Sequence, residues 1–293
     1  MSILDDLKLQ YKIGNITVRL IFWNLLLFAV PSIVFGVLQL FHVRIDYLNF
    51  VSLSTDWSDL LWKPWSILSY AFFHLGIFHI IFNMLMLHFV GQLFLTFFTQ
   101  KQLFSVYVIG AVFSGLVYML GYLILPALTT VNTSMVGASA AVMAILMATV
   151  SYQPFMEVRL FIFGNVKLWQ IALVLIVLDL IQLPMNNTGG HIAHLSGALF
   201  GYIYTKFLQN GIDLGSGLNS FTQRIASFFS NQDASPFKKV HVNPKKPILK
   251  RESKVVAKDK TQQQIDEILD KISQSGYDSL TSEEKEFLFK AGK

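Results

Sequence analysis

The chain contains no cysteine. This one absence removes disulfide scaffolds, thiol nucleophiles and thiolate metal sites, and with them the small secreted folds that depend on cross-links. Charge is the second scarcity. Only 14% of residues are Asp, Glu, Lys or Arg while 53% are hydrophobic, where a soluble domain carries about 25% charged residues. The shortage is uneven: residues 1–210 hold 9 Lys and Arg with 7 Asp and Glu, and the last 83 residues hold 14 and 11. A charge-poor body is followed by an ordinary charge-rich tail. That excludes a single soluble globule and a disordered chain. The net charge of +5, mostly in the tail, reads as membrane orientation rather than as nucleic-acid binding.

What is present is long apolar runs. Six stretches, near Val18–Phe41, Leu75–Phe98, Leu103–Leu125, Val136–Tyr152, Leu168–Leu183 and His191–Leu208, approach the roughly 17–25 residues needed to cross a hydrocarbon core of about 30 Å. The last three are short, and the fourth and sixth open on Gly, Ser and His. Such groups must face protein or a water-filled cavity. The expected fold class is all-α, a polytopic membrane protein. Asp5, Asp6, the length of the first run and the lack of a small-residue cleavage site argue against a signal peptide. Residues 1–17 read instead as an interfacial segment, with Leu4, Leu7, Leu9 and Ile13 among Lys8 and Lys12.

With a cytosolic N-terminus, inside loops hold Lys8, Lys12, Arg19, Lys101, Arg159, Lys167 and Lys206, and outside loops only Arg44 and Lys63. Both termini are therefore expected in the cytosol. The loop from His42 to His74 carries Trp57, Trp62, Trp65 and Tyr70, which suits an outer interface, although aromatic belts occur on membrane proteins of every function. The domain plan is an N-terminal segment 1–17, a six-span domain 18–210, a flexible basic linker 211–260 and a small helical hairpin 261–293. The linker is marked by Pro236, Pro244 and Pro247 among lysines. In the hairpin, Ile265, Ile268, Leu269 and Ile272 follow a Thr261-x-x-Gln264 capping box and end near Gly276. A Thr281-x-x-Glu284 box opens the second helix, with Phe287 and Leu288. An accessory role suits it better than a docking module.

Polar groups inside the runs are few. His79 and Asn83 are four apart and share a helix face. Ser139 lies in Gly137-Ala138-Ser139-Ala140. His194 lies in a stretch from His191 to Gly197, with Gly201 four residues further on. If both ends are inside, the second, fourth and sixth spans enter from the outer side and bring these groups to one depth. Singly, each has an ordinary explanation: a membrane-helix Ser usually bonds neighbouring backbone, a GxxxG pair packs helices, and His79 with Asn83 can bind helices together. As a set they match acyl transfer. A hydroxyl needs a base, and a tetrahedral oxyanion needs donors. No carboxylate is expected close enough to complete a triad. Asp179, the lone acid within a span, is assigned a structural hydrogen-bonding role facing the bundle.

At these residues the sequence resembles the rhomboid family of intramembrane serine proteases. The match runs over residues 18–208: Gly137 and Ser139, His79 and Asn83, Ala193 and His194 with Gly197 and Gly201, and the loop stretch Pro64-Trp65-Ser66 to Phe73-His74. The resemblance implies a six-transmembrane-helix rhomboid bundle of bacterial type with a cytosolic C-terminal tail. Ser139 would be the nucleophile and His194 the general base. His79, Asn83 and the Ser139 amide would form the oxyanion hole, with Gly137, Gly197 and Gly201 as motif and packing positions. It implies an inner-membrane protease whose site opens to the outer side, and substrates that are single-span proteins arriving past the fifth span. Its partners would be those substrates and membrane lipids, with no nucleic acid, metal or organic cofactor. His191 is set aside as base because the paired glycines follow His194 in the family's spacing. His74 is given a loop-structuring role. Three positions depart from many relatives: Ala140, Met143, and Ser66 after Trp65. None removes a catalytic atom.

Two rivals stand beside this reading. One is a catalytically silent relative that binds membrane helices. The other is a metal site built from His74, His79, His191 and His194, which lacks an H-E-x-x-H motif, any cysteine, and any carboxylate expected nearby.

Overall fold

A computed structural model of the chain describes residues 2–160, 164–229 and 260–291. The chain divides into two units, Met1–Asn231 and Gln232–Lys293.

The first unit opens with α1 (Ile3–Ile13) and α2 (Ile16–Leu40). Ser2 and Asp5 form a capping box at the start of α1, and Asn15 accepts the Val18 N–H at the start of α2. The long loop that follows is folded: α3 (Tyr47–Val51), β1 (Leu53–Ser54), α4 (Asp59–Trp62) and α5 (Ser66–Ser69) lead through a 3-10 turn at Tyr70–Phe72. Then come α6 (Ile77–Leu95), α7 (Gln100–Ile124), β2 (Ser134–Met135), α8 (Ser139–Tyr152), β3 (Glu157–Leu160) and β4 (Gly164–Lys167). The unit closes with α9 (Leu168–Gln182), α10 (Thr188–Gln209) and α11 (Ser216–Phe229). Thr99 and Gln102 cap α7 reciprocally.

All six apolar stretches are helical. Among the described residues, α2, α6 and α7 are long and apolar enough to cross a membrane, and α8 and α9 are apolar but shorter. The protein is a polytopic, essentially all-α membrane protein. Its only described strands are two small antiparallel ribbons, β1–β2 and β3–β4.

The helix α8 is the central rod. Ten of its fourteen residues are buried, and it packs against α6, α7, α9 and α10. It has no outer face, so it carries no charge. By contrast α2 buries only Thr17, Leu20 and Asn24, and its exposed Leu26, Ile33 and Val37 present a lipid-like face. In α9 the buried residues are Leu168, Ala172 and Asp179. With the half-buried Leu175 packed on the core, they form one inward stripe at helical spacing, and Asp179 belongs to it.

Four tyrosines, Tyr70, Tyr107, Tyr118 and Tyr204, lie fully buried, and each hydroxyl is matched. Tyr70 donates to the Ala111 carbonyl at 2.7 Å and Tyr107 to the Ala71 carbonyl at 2.7 Å. These two bonds tie the end of the long loop to α7. Tyr118 donates to the Thr133 carbonyl at 3.2 Å, and Tyr204 to Asp213 Oδ1 at 3.0 Å.

The stretch 211–260 departs from its expectation as a linker. Its first part forms α11, where Leu218, Phe221 and Ile225 recur at helical spacing, and α11 packs on α7. Residues 230–259, which include the three linker prolines, lie outside the described residues.

In the second unit, α12 (Lys260–Ser275) and α13 (Ser282–Ala291) are joined by a 3-10 turn at Tyr277–Ser279. Helical structure already includes Lys260, so Thr261 lies within α12 rather than opening it. The second box is as read: Thr281 N–H donates to Glu284 Oε2 at 2.7 Å, and Glu284 N–H to Thr281 Oγ1 at 3.3 Å. Lys271 reaches both Glu284 oxygens at 2.9 Å, and Ile268 and Leu280 are buried.

Candidate active site

Ser139 is the first residue of α8, and three contacts aim the chain into it. The β1–β2 ladder pairs Leu53 with Met135 and Ser54 with Ser134. The Gly137 N–H donates to the Tyr70 carbonyl at 2.8 Å, and the Ala138 N–H donates to His74 Nε2 at 3.5 Å. Gly137 has φ +140, and a Cβ there would stand 2.9 Å from the His79 ring. The turn into the helix therefore requires glycine.

His74 is buried, and burial, with His79 beside it, pushes its pKa from 6.5 down to about 3. A neutral ring is what the Ala138 contact needs, since its Nε2 must accept. Because the folded value lies below the unfolded one, the contribution to stability is present above pH 6.5 and is lost as pH falls through the interval toward about 3. His74→Gln is expected to flatten the fall of the thermal midpoint with pH across that interval. An unchanged slope would count against this assignment.

His194 lies in the second turn of α10. Two glycines bring α10 onto α8: a Cβ on Gly197 would collide with the Ala140 carbonyl, and one on Gly201 with the Ala144 carbonyl. At that approach His194 Nε2 lies 2.7 Å from Ser139 Oγ. His191 does not make this contact; its ring turns to α9. A cavity of about 360 Å³ holds Ser139 and His194 together with His79, Asn83, Gly137 and Gly190. The Asn83 side chain donates to the His79 carbonyl at 2.8 Å, which leaves its second amide proton for the cavity. A second hollow, of about 310 Å³, lies between α6 and α9. Phe82, Met86, Leu175 and Leu178 line it, and it shares Ser139, Asn83 and His194 with the first. The hydroxyl is thus approached from two sides.

The model of the rhomboid domain matches residues 61–210, half of the chain and all of this site. The protein belongs to the rhomboid family. Membership together with the Ser139–His194 contact makes this rhomboid a serine protease, a multi-pass hydrolase of intramembrane proteolysis. A second model, for a family of unknown function (DUF6576), matches residues 255–290, the hairpin. No curated protein matches the chain.

One expectation is overturned. No carboxylate is expected from the sequence beside the Ser–His pair, yet Asp179 Oδ1 lies 2.9 Å from His194 Nδ1 and 2.7 Å from His191 Nδ1. The reason is the short connection between α9 and α10. Asp179 stands three residues before the end of α9, and His191 three residues after the start of α10, so antiparallel packing makes them neighbours. The signal was available, because a lone acid on an apolar helix has to be satisfied somewhere. Among the described residues, Asp179, His191 and His194 also form a group whose ligating atoms lie within 4.8 Å of one another and could hold a metal ion. The two contacts to the carboxylate have hydrogen-bond lengths.

The departures from relatives also find their places. Ala140 is buried under Gly197. Met143 lines the second hollow with His194, and Ser66 is buried at the start of α5.

Proposed function

We propose that this rhomboid cleaves single-span membrane proteins near the outer face of the inner membrane, through Ser139 and His194 and an acyl-enzyme. The observation that carries the reading is the 2.7 Å contact between His194 Nε2 and Ser139 Oγ inside a cavity shared with His79 and Asn83. His194 takes the hydroxyl proton as Ser139 Oγ bonds to the scissile carbonyl carbon. The tetrahedral oxyanion is met by donors from His79, Asn83 and the Ser139 amide. That amide is one of the N–H groups a helix start leaves without an intrahelical acceptor. His194 then protonates the departing amine, and water repeats the sequence to release the acyl group.

The proposed membrane placement is a six-span core with both termini cytosolic. The Lys and Arg asymmetry supports it. So does the length of α8: fourteen residues rise about 21 Å, short of a hydrocarbon core of about 30 Å. A helix ending at the cytosolic boundary would therefore start below the outer surface, where Ser139 would sit in a water-filled recess. The apolar hollow between α6 and α9 suits a substrate helix arriving from the bilayer. Extended backbone must reach Ser139, so substrates would carry small or helix-weakening residues near the cut. Membrane lipid would be the other partner.

An activity-based phosphonate tests the chemistry without knowledge of the substrate. It is expected to label the protein at Ser139 and to label neither Ser139→Ala nor His194→Ala. Absence of labelling in the folded wild type would favour a silent, helix-binding relative.

A further inference from the structure

The acid at position 179 is 7% exposed, and it is the only Asp or Glu within α2 and α6 to α10. One of its oxygens receives two imidazoles: His194 Nδ1 at 2.9 Å and His191 Nδ1 at 2.7 Å. The far nitrogen of the His194 ring meets Ser139 Oγ at 2.7 Å. We infer that Asp179 is the positioning carboxylate of a Ser139–His194–Asp179 relay, and that His191 holds that carboxylate in place. This deepens the dyad reading and rests on it.

A neutral imidazole carries a single N–H. An ionised carboxylate can only accept, so the 2.9 Å contact puts that proton on His194 Nδ1 and leaves Nε2 with a free lone pair toward Ser139. Without the acid both tautomers are populated, and the wrong one points an N–H at the hydroxyl it should deprotonate. In the reaction the Ser139 proton moves to Nε2 and the ring becomes cationic. Asp179 keeps its negative charge beside that cation and takes no proton. The proton leaves with the amine.

His191 answers a different need. A carboxylate this buried is unfavourable unless its charge is met by donors. The His191 Nδ1–H supplies a second donor to the same oxygen, from a ring 5.9 Å from that of His194 and at 88° to it. The carboxylate is thereby fixed from one side while it orients His194 on the other. The sharing also explains why two histidines stand one turn apart at the head of α10 although only one touches the serine.

The test uses the full chain in detergent, with a model single-span substrate and the thermal midpoint followed in parallel. Asp179→Asn is expected to lower kcat by about 10²–10⁴-fold with KM within about twofold, because the loss falls on proton transfer and not on binding. Asp179→Glu is expected to recover at least about tenfold of that loss, and His191→Gln to cost about tenfold or less. A purely structural acid would move the midpoint and leave kcat of the folded fraction within about threefold of wild type. That outcome overturns the relay. Ser139→Ala run alongside separates the two claims, since a dead Ser139→Ala with a fully active Asp179→Asn sinks the relay and spares the dyad. The wild type supplies a readout that does not depend on any variant folding. Nitrogen NMR of labelled histidines should find the neutral His194 proton on Nδ1, and a proton on Nε2 overturns the inference. Stoichiometric zinc in purified active protein also overturns it, because the metal would take both Nδ1 lone pairs.

Discussion

Ser139→Ala is expected to abolish cleavage of a model single-span substrate while the protein still inserts, folds and binds. Removing a serine nucleophile lowers turnover by about 10⁶-fold, roughly 8 kcal/mol of barrier, which lies beyond the range of any gel assay. The substitution removes one oxygen from the wall of a cavity of about 360 Å³ and leaves every helix contact in place. The thermal midpoint should accordingly move by no more than a few degrees. His194→Ala should be as inactive as Ser139→Ala, and the double variant no worse than either, because in the proposed mechanism hydroxyl and base act as one unit. Quenched-fluorescence turnover with matched detergent and lipid would measure all three. Residual cleavage by Ser139→Ala above that of a blank membrane would falsify the nucleophile assignment.

The parts of this site differ in how far the sequence revealed them. Hydrophobic runs located α2 and α6 to α10 to within a few residues, since lipid demands the same apolar pattern that the eye detects. His79, Asn83, Ser139 and His194 stood out because polar groups are rare in such runs, and all four line one cavity. Asp179 was visible as an oddity but not as a partner. Chain separation is a poor guide to distance when two helices fold back through a short connection, and the contact follows only once the ends of α9 and α10 are known. The β1–β2 ladder was invisible for another reason. Two-residue strands leave no alternation to read, and their pairing joins residues some 80 positions apart in sequence. The role of His74 in holding the Ala138 amide depends on that same unseen folding of the long loop. In α11 an amphipathic pattern was present but was absorbed into the charge-rich tail.

The second large effect belongs to the glycines that contact no reacting atom. Gly197→Ala and Gly201→Ala add one methyl each, and in both cases the obstacle is backbone: the Ala140 carbonyl for the first, the Ala144 carbonyl and the Ala148 nitrogen for the second. A side chain could rotate away, but a helix backbone cannot, so α10 must withdraw from α8 by on the order of 1 Å. The bond from Thr205 Oγ1 to the Ala148 carbonyl, 2.9 Å now, would stretch with it. Overpacking of this kind costs about 1–3 kcal/mol of stability. Activity should suffer more, because a misplacement of about 1 Å lowers catalysis by about 10²-fold. The two variants should also differ. Gly197 faces Ala140, next to Ser139, and is three residues from His194, so its methyl opens the Ser139–His194 gap directly. Gly201 lies one turn deeper, where part of the displacement can be absorbed before it reaches the site. The expected order in kcat is wild type, then Gly201→Ala, then Gly197→Ala, with similar drops in thermal midpoint for the two variants. Wild-type turnover in Gly197→Ala would mean that the close approach of α8 and α10 is not what holds the imidazole on the hydroxyl.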